Sequence, residues 1–271
     1  MEKSILTVEI TRAIRESESC PLCYLWMEEE SRVTEGMLSN EVCMDPTIRK
    51  QVTRARGFCN AHSYLLFELS TKPSSLDGSA LALYLESVFE DILRELERHR
   101  HQATEKKGRG GKMSALGRRL SSKSSAALAK GVAESIRSKG TCYICNSLEN
   151  ADLIHVSTLV RMLRDGDFRE EFRGSHGLCL PHLISALLVV SEQGPKDAEE
   201  IVSALVSSEV ALFRRLHRLL SERLRKMSWD ARNEPIGEER DANRLALRTI
   251  AGAQGLYGSR NRTTSRGVAE R

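Results

Sequence analysis

Aromatic residues make up only 5% of the 271-residue chain, so any hydrophobic core must be largely aliphatic. No run of 18 apolar residues occurs; the longest candidate, Leu183 to Val190, is far too short to span a bilayer. The opening stretch MEKSILTVEITRAIRESES is too charged to read as a secretory signal. Strand-like alternation is also missing. So are a Walker A pattern, G-x-S-x-G, H-E-x-x-H and a dinucleotide G-x-G-x-x-G. These absences leave a cytoplasmic, all-α protein with no catalytic motif as the expectation. His155, His176 and His217 have no evident nucleophile beside them and read as helix-surface or core residues.

What the chain does have is cysteine in a pattern. There are seven, an odd number for a disulfide framework. In a reducing compartment, close pairs read as metal or redox sites. Cys20 and Cys23 form CPLC, followed by Cys59 and His62 in GFCNAH. Cys142 and Cys145 form CYIC, followed by Cys179 and His182 in GLCLPH. Each set reads C-x2-C … C-x2-H, which is the ligand complement of a closed tetrahedral zinc site. Residues three apart share a helix face. Cys59 and His62 can therefore converge at a helix start, with Gly57 supplying a tight backbone entry, and Gly177 does the same for Cys179 and His182. An iron–sulfur cluster with one histidine ligand and a C-x2-C thiol–disulfide site are the alternatives. Cys43 has no counterpart and reads as a small, partly buried hydrophobe.

The similarity extends past the ligands at a spacing of 120 residues. Asp45, Ile48, Arg49 and Val52 correspond to Asp165, Phe168, Arg169 and Phe172. Each segment reads as a short helix capped by its Asp, with an Asp–Arg ion pair four residues apart. Amphipathic helices are expected after each C-x2-C and again after each Pro-containing loop, TKPSSLDG or SEQGPKD. The expected fold is all-α: two pseudo-repeated helical modules, each pinned by its own Cys3His site, plus a C-terminal helix. In this reading Cys20, Cys23, Cys59 and His62 hold one zinc; Cys142, Cys145, Cys179 and His182 hold the other. Glu28 to Glu30 read as a solvated face or as a support to the nearby first site.

The expected segments are 1–101, a first metal-binding repeat; 102–139, a basic linker; 140–227, the second repeat; 228–257, a C-terminal helical segment; and 258–271, a disordered tail. The net charge of +4 conceals a concentration. The linker alone carries ten Lys or Arg against two acidic residues. Lys106, Lys107, Arg109, Lys112, Arg118 and Arg119 could meet phosphates of a nucleic acid, although no aromatic residue there could stack on bases. A helix is expected within Ser124–Ile136 and another over Glu238–Ala251, with Trp229 anchoring the connection between the second repeat and the latter.

Taken together, CPLC with GFCNAH, CYIC with GLCLPH, and the C-terminal EERDANRLALRTIAG resemble an uncharacterised prokaryotic domain-of-unknown-function family over about Glu2 to Gly255. The resemblance implies metal ligation by the eight Cys and His residues of the two motifs and supplies no activity. The functions in view are a zinc-stabilised scaffold for a protein partner, a nucleic-acid-binding or regulatory protein using the linker, and a thiol-redox or metal-sensing protein. No membrane association is expected.

Overall fold

A computed structural model describes residues 4–71, 78–108, 127–231 and 233–253. They are helical, with no strand among them. In chain order the helices are α1 (Ile5–Glu16), α2 (Pro21–Met37), α3 (Asn40–Met44), α4 (Pro46–Arg54), α5 (Asn60–Ser70) and α6 (Ser79–Gly108). Then come α7 (127–136), α8 (Tyr143–Met162), α9 (Gly166–Arg173), α10 (Leu180–Gln193) and α11 (Ala198–Lys226). A 3-10 turn, Glu238–Asp241, leads into α12 (Ala242–Ala251), where the C-terminal helix was expected. Among the described residues no helix is long and apolar enough to cross a membrane. Of the basic residues singled out in the linker, Arg109, Lys112, Arg118 and Arg119 lie outside the described residues, as do the side chains of Lys106 and Lys107 and the segment 258–271.

Local chemistry explains most helix boundaries. Asp45 caps α4 by accepting from the Thr47 and Ile48 amides; Asp165 caps α9 through Asp167 and Phe168. The expected Asp–Arg pairs do not form, because each guanidinium finds a more distant partner. Arg49 donates to Ser87 Oγ at 2.6 Å, and Arg169 to the Leu163 and Arg164 carbonyls while pairing with Glu200. A side chain that bridges two elements adds tertiary fixation, which a pair within one turn cannot.

The described chain forms two compact units that do not follow chain order. One comprises 1–31 with 148–271; the other comprises 32–147. The chain passes between them within α2 and again within α8. The contiguous repeats expected from the sequence are therefore not the compact bodies.

The core of the first unit is built from Ile10, Ala13 and Ile14 of α1, Leu22 and Leu25 of α2, Val156, Leu159 and Val160 of α8, and Leu163 just after it. Phe168 and Phe172 of α9, Ala186 and Val190 of α10, and Ile201 and Leu205 of α11 complete it. In the second unit α3, α4 and α5 pack on α6, burying Val52, Leu65, Leu66, Leu81, Tyr84 and Val88. Arg56 ties this unit together. It takes a left-handed backbone and reaches Asp91 of α6 as well as the Ser135 and Ile136 carbonyls at the end of α7. Cys43 is buried at 3% exposure, as a small hydrophobe should be. Trp229 differs from expectation: it is 75% exposed and does not bury its ring against the body.

Candidate metal centres

All eight singled-out ligands converge, but in a different pairing from the one that chain order suggests. Cys20 and Cys23 gather with Cys179 and His182; Cys59 and His62 gather with Cys142 and Cys145. Each C-x2-C is completed by the C-x2-H of the other half, so the second set is nested inside the first along the chain. Each set lies wholly within one compact unit. The physical reason is the helix that follows each C-x2-C. An unbroken helix carries the chain away from its own first cysteines at about 1.5 Å per residue. Both α2 and α8 do this, and both pass into the other unit.

Within each set the four candidate ligand atoms lie within 4.8 Å of one another. In the first, Cys20 Sγ and Cys179 Sγ stand 3.2 and 3.1 Å from His182 Nδ1, and the Cys23 and Cys179 sulfurs are 3.5 Å apart. In the second, His62 Nδ1 is 3.3 Å from Cys142 Sγ and 3.5 Å from Cys59 Sγ; the Cys145 and Cys59 sulfurs are 3.6 Å apart. A tetrahedron with metal–sulfur bonds near 2.3 Å and metal–nitrogen bonds near 2.0 Å has edges of about 3.5–3.8 Å. The observed separations therefore fit a single ion at the centre. Among the described residues no disulfide joins any of the cysteines.

Glycine supplies the entry to each C-x2-H. Gly57 has φ +99° and Gly177 φ +69°, a region that L-residues rarely adopt. The next turn places Cys59 at the N-cap of α5 and Cys179 at that of α10, with φ −66° and −74°. Neither cysteine makes a side-chain cap hydrogen bond. Each helix start also presents amide dipoles that favour a thiolate.

The two centres differ in what surrounds them. In the first set all four residues are buried, and His182 Nε2 donates to Asp152 Oδ1 at 2.8 Å. This carboxylate orients the imidazole so that Nδ1 faces the three sulfurs. The Ala253 amide donates to Cys23 Sγ at 3.3 Å. A Cβ on Gly252, whose φ is +85°, would sit 3.6 Å from Cys23 Sγ and 3.7 Å from Cys179 Sγ. The C-terminal backbone thus seals this centre. In the second set His62 and Cys142 are buried, whereas Cys59 and Cys145 are only half-buried.

The protonation chemistry of these groups reflects crowding. Burial pushes the Cys20 thiol well up, while hydrogen bonds from Cys179 and Cys20 draw Cys23 down. Burial also works against a charged His182, yet Asp152 and Cys179 outweigh it and hold its pKa above the usual range. Cys59 is drawn down by hydrogen bonds from Cys142 and Cys145. Several thiolates packed this closely need a cation to neutralise them, which is the chemistry a metal supplies.

Asp152 was not evident as a functional residue in the sequence, but a signal existed. It lies seven residues after Cys145, as Glu30 lies seven after Cys23, and Glu30 is buried at 4% exposure. Glu28, from the same acidic triplet, instead binds Arg12 at the surface. Asp152→Asn should lower metal affinity at one of the two centres by about 10–100-fold and leave the other unchanged. Competition titration against a chromophoric chelator measures both affinities; two parental affinities in the variant would remove Asp152 from this role.

A buried carboxylate braces the same centre from α11. Glu209 is 4% exposed and accepts from the Leu178 amide at 2.5 Å through Oε1, while Oε2 has no hydrogen-bond partner among the described residues. Burial raises its pKa from 4.5 to about 7, against the Leu178 hydrogen bond. The folded state thus holds its proton more tightly than the unfolded one. The associated stability is complete below about pH 4.5 and is lost as pH rises through about 7. With zinc saturating, Glu209→Gln should flatten the fall in urea midpoint between pH 5 and pH 7 relative to the parent. Parallel pH profiles for the two proteins would contradict the assignment.

No curated protein and no solved structure matches the chain. A model of a family of unknown function, DUF6062, matches residues 1–255. With its helical fold and two Cys3His clusters, the chain belongs to that family.

Proposed function

We propose that the chain is a zinc-pinned helical scaffold that works in a reducing compartment and binds a protein partner. The observation that carries this reading is the convergence of two complete Cys3His sets, each with three sulfurs and one ring nitrogen within 4.8 Å. Three thiolates with an imidazole suit zinc better than magnesium, calcium or manganese. Four protein ligands leave no open coordination position, and this is the arrangement of a structural rather than a catalytic ion. An iron–sulfur cluster would need ligands spread around a multi-atom core, whereas these four atoms lie within 4.8 Å of one another, a spacing suited to a single ion. Elemental analysis of the purified chain should give two zinc ions per molecule. Iron with visible absorbance would overturn the reading.

The second centre supports an additional redox role. Cys59 and Cys145 are half-buried with sulfurs 3.6 Å apart. A peroxide would take two electrons from this thiolate pair, forming one S–S bond and, with two protons from solvent, two waters, and zinc would be released. The first centre is sealed and should resist. Mild peroxide should therefore release one zinc per chain and block alkylation at Cys59 and Cys145 first. Release of both ions together, or of neither, would argue against this role.

A further inference from the structure

After α11 the chain runs over the surface of the first unit: of the described residues in 227–237 only Ala231 is buried. The 3-10 turn that follows is firmly fastened. Lys226 meets Glu239 at 2.7 Å, and Glu239 is 5% exposed. Arg223 donates to the Glu239 and Arg240 carbonyls at 3.3 and 3.0 Å. α12 beyond the turn is held more lightly. Of its ten residues only Ala242, at the near end, is buried, and Asp241 makes no side-chain cap hydrogen bond. A helix of this length does not persist in water by itself, so α12 keeps its form by docking on α10 and α11. The buried core cluster of the unit contains no residue of α12, so that core can stay packed when the helix lifts.

The far end of α12 touches the first metal centre. The Ala253 amide donates to Cys23 Sγ at 3.3 Å. Leu245, Arg248 and Thr249 wall a cavity that Cys20 and Cys179 also line; its volume is about 30 Å³, room for about one water. A chelator or an alkylating reagent does not fit there. The backbone makes its closest approach at Gly252, with φ +85° and ψ 165°, a conformation open almost to glycine alone. A residue with a side chain at this position would be strained whenever the segment is docked and relaxed whenever it is not.

We infer that Ala242–Ala253 is a releasable strap over the first metal centre, hinged at the fastened 3-10 turn, and that its docking gates exchange of the ion held there. Docked, it leaves space for a single water beside Cys20 and Cys179 and puts backbone against Cys23. Lifted, it uncovers the three sulfurs together. Terminal elements with few buried contacts open in this way without unfolding the rest of a domain. This rests on the zinc reading above and adds control of one ion to it: the second centre exchanges through its half-buried Cys59 and Cys145, the first only when the strap lifts.

A chelator and iodoacetamide are added to the zinc-loaded full chain, and labelling of each cysteine is followed by peptide mass spectrometry. When the strap opens and closes faster than the reagents act, the labelling rate follows the population of the lifted form. Gly252→Ala strains only the docked backbone and should speed labelling of Cys20, Cys23 and Cys179 by about tenfold, with Cys59 and Cys145 at parental rates. Leu245→Glu puts a charge into the cavity wall and should act in the same direction by another route. Leu247→Glu, on the same helix at a position 66% exposed, should change nothing. Parental labelling of Cys20, Cys23 and Cys179 in either Gly252→Ala or Leu245→Glu overturns the strap, and so does equal acceleration by Leu247→Glu. Faster labelling at both centres together with loss of helical circular dichroism also overturns it, because α12 would then be an integral part of the fold. A parent that holds no zinc removes the metal reading instead; the ratio of variant to parent labelling, measured without chelator, still decides the strap.

Discussion

Removing both metal ions with a chelator should abolish most of the α-helical circular dichroism in two steps, one for each ion, and readdition of zinc should restore it. The magnitude follows from the position of the ligands. Each centre joins the start of a C-x2-C helix to the start of a C-x2-H helix, and each lies against a core containing few aromatic side chains. Structural zinc in small domains supplies about 10–16 kcal/mol of apparent binding free energy at neutral pH. A folded domain is stable by only about 5–15 kcal/mol in total. Losing two such ions therefore exceeds what the aliphatic core can retain. Without metal, three thiols and a histidine must also share one crowded pocket, in which burial already opposes ionisation of Cys20. The release should be biphasic. The ion held by half-buried Cys59 and Cys145 should leave first, and the one sealed by Gly252 and Ala253 second. Helix content unchanged after verified removal of both ions would contradict a folding role for the metal.

The parts of this architecture written in local sequence were legible there. Asp45 and Asp165 announced helix starts because an Asx side chain caps amides two and three residues ahead. Gly57 and Gly177 announced left-handed turns because other residues are strained there. The eight candidate ligands were visible from residue type and spacing alone. Their pairing was not, and the energetics show why. Ligands of the first centre are separated by up to 162 residues, and those of the second by up to 86. Each doubling of a closed loop costs only about 0.6 kcal/mol, so even two doublings add about 1.2 kcal/mol. That is small beside the free energy of binding a metal, and proximity along the chain could not decide between nested and tandem pairings. The decision belongs to α2 and α8, whose unbroken length carries each C-x2-C away from the C-x2-H that follows it. Asp152, Glu209 and the sealing contact of Ala253 escaped for a related reason: each acts on a residue at least 30 positions away. Trp229 misled because a large aromatic is a good indicator of burial only where the fold has a surface to place against it.

The nested pairing is the central claim, and paired cysteine substitutions test it through metal count. Replacing Cys23 and Cys179 together disables one centre, because their sulfurs stand 3.5 Å apart in the same set. Replacing Cys23 and Cys59 together disables both, because these two belong to different sets. The tandem arrangement reverses the two results, with Cys23 and Cys59 sharing an ion and Cys23 and Cys179 serving separate ones. Substitution of one thiolate in a four-ligand site removes a strong ligand and leaves the remaining charges poorly neutralised, so each disabled centre should be empty after dialysis against a weak chelator. The measurement is zinc per chain in Cys23→Ser/Cys179→Ser and in Cys23→Ser/Cys59→Ser. Nested pairing predicts one ion in the former and none in the latter; none in the former and one in the latter would contradict it.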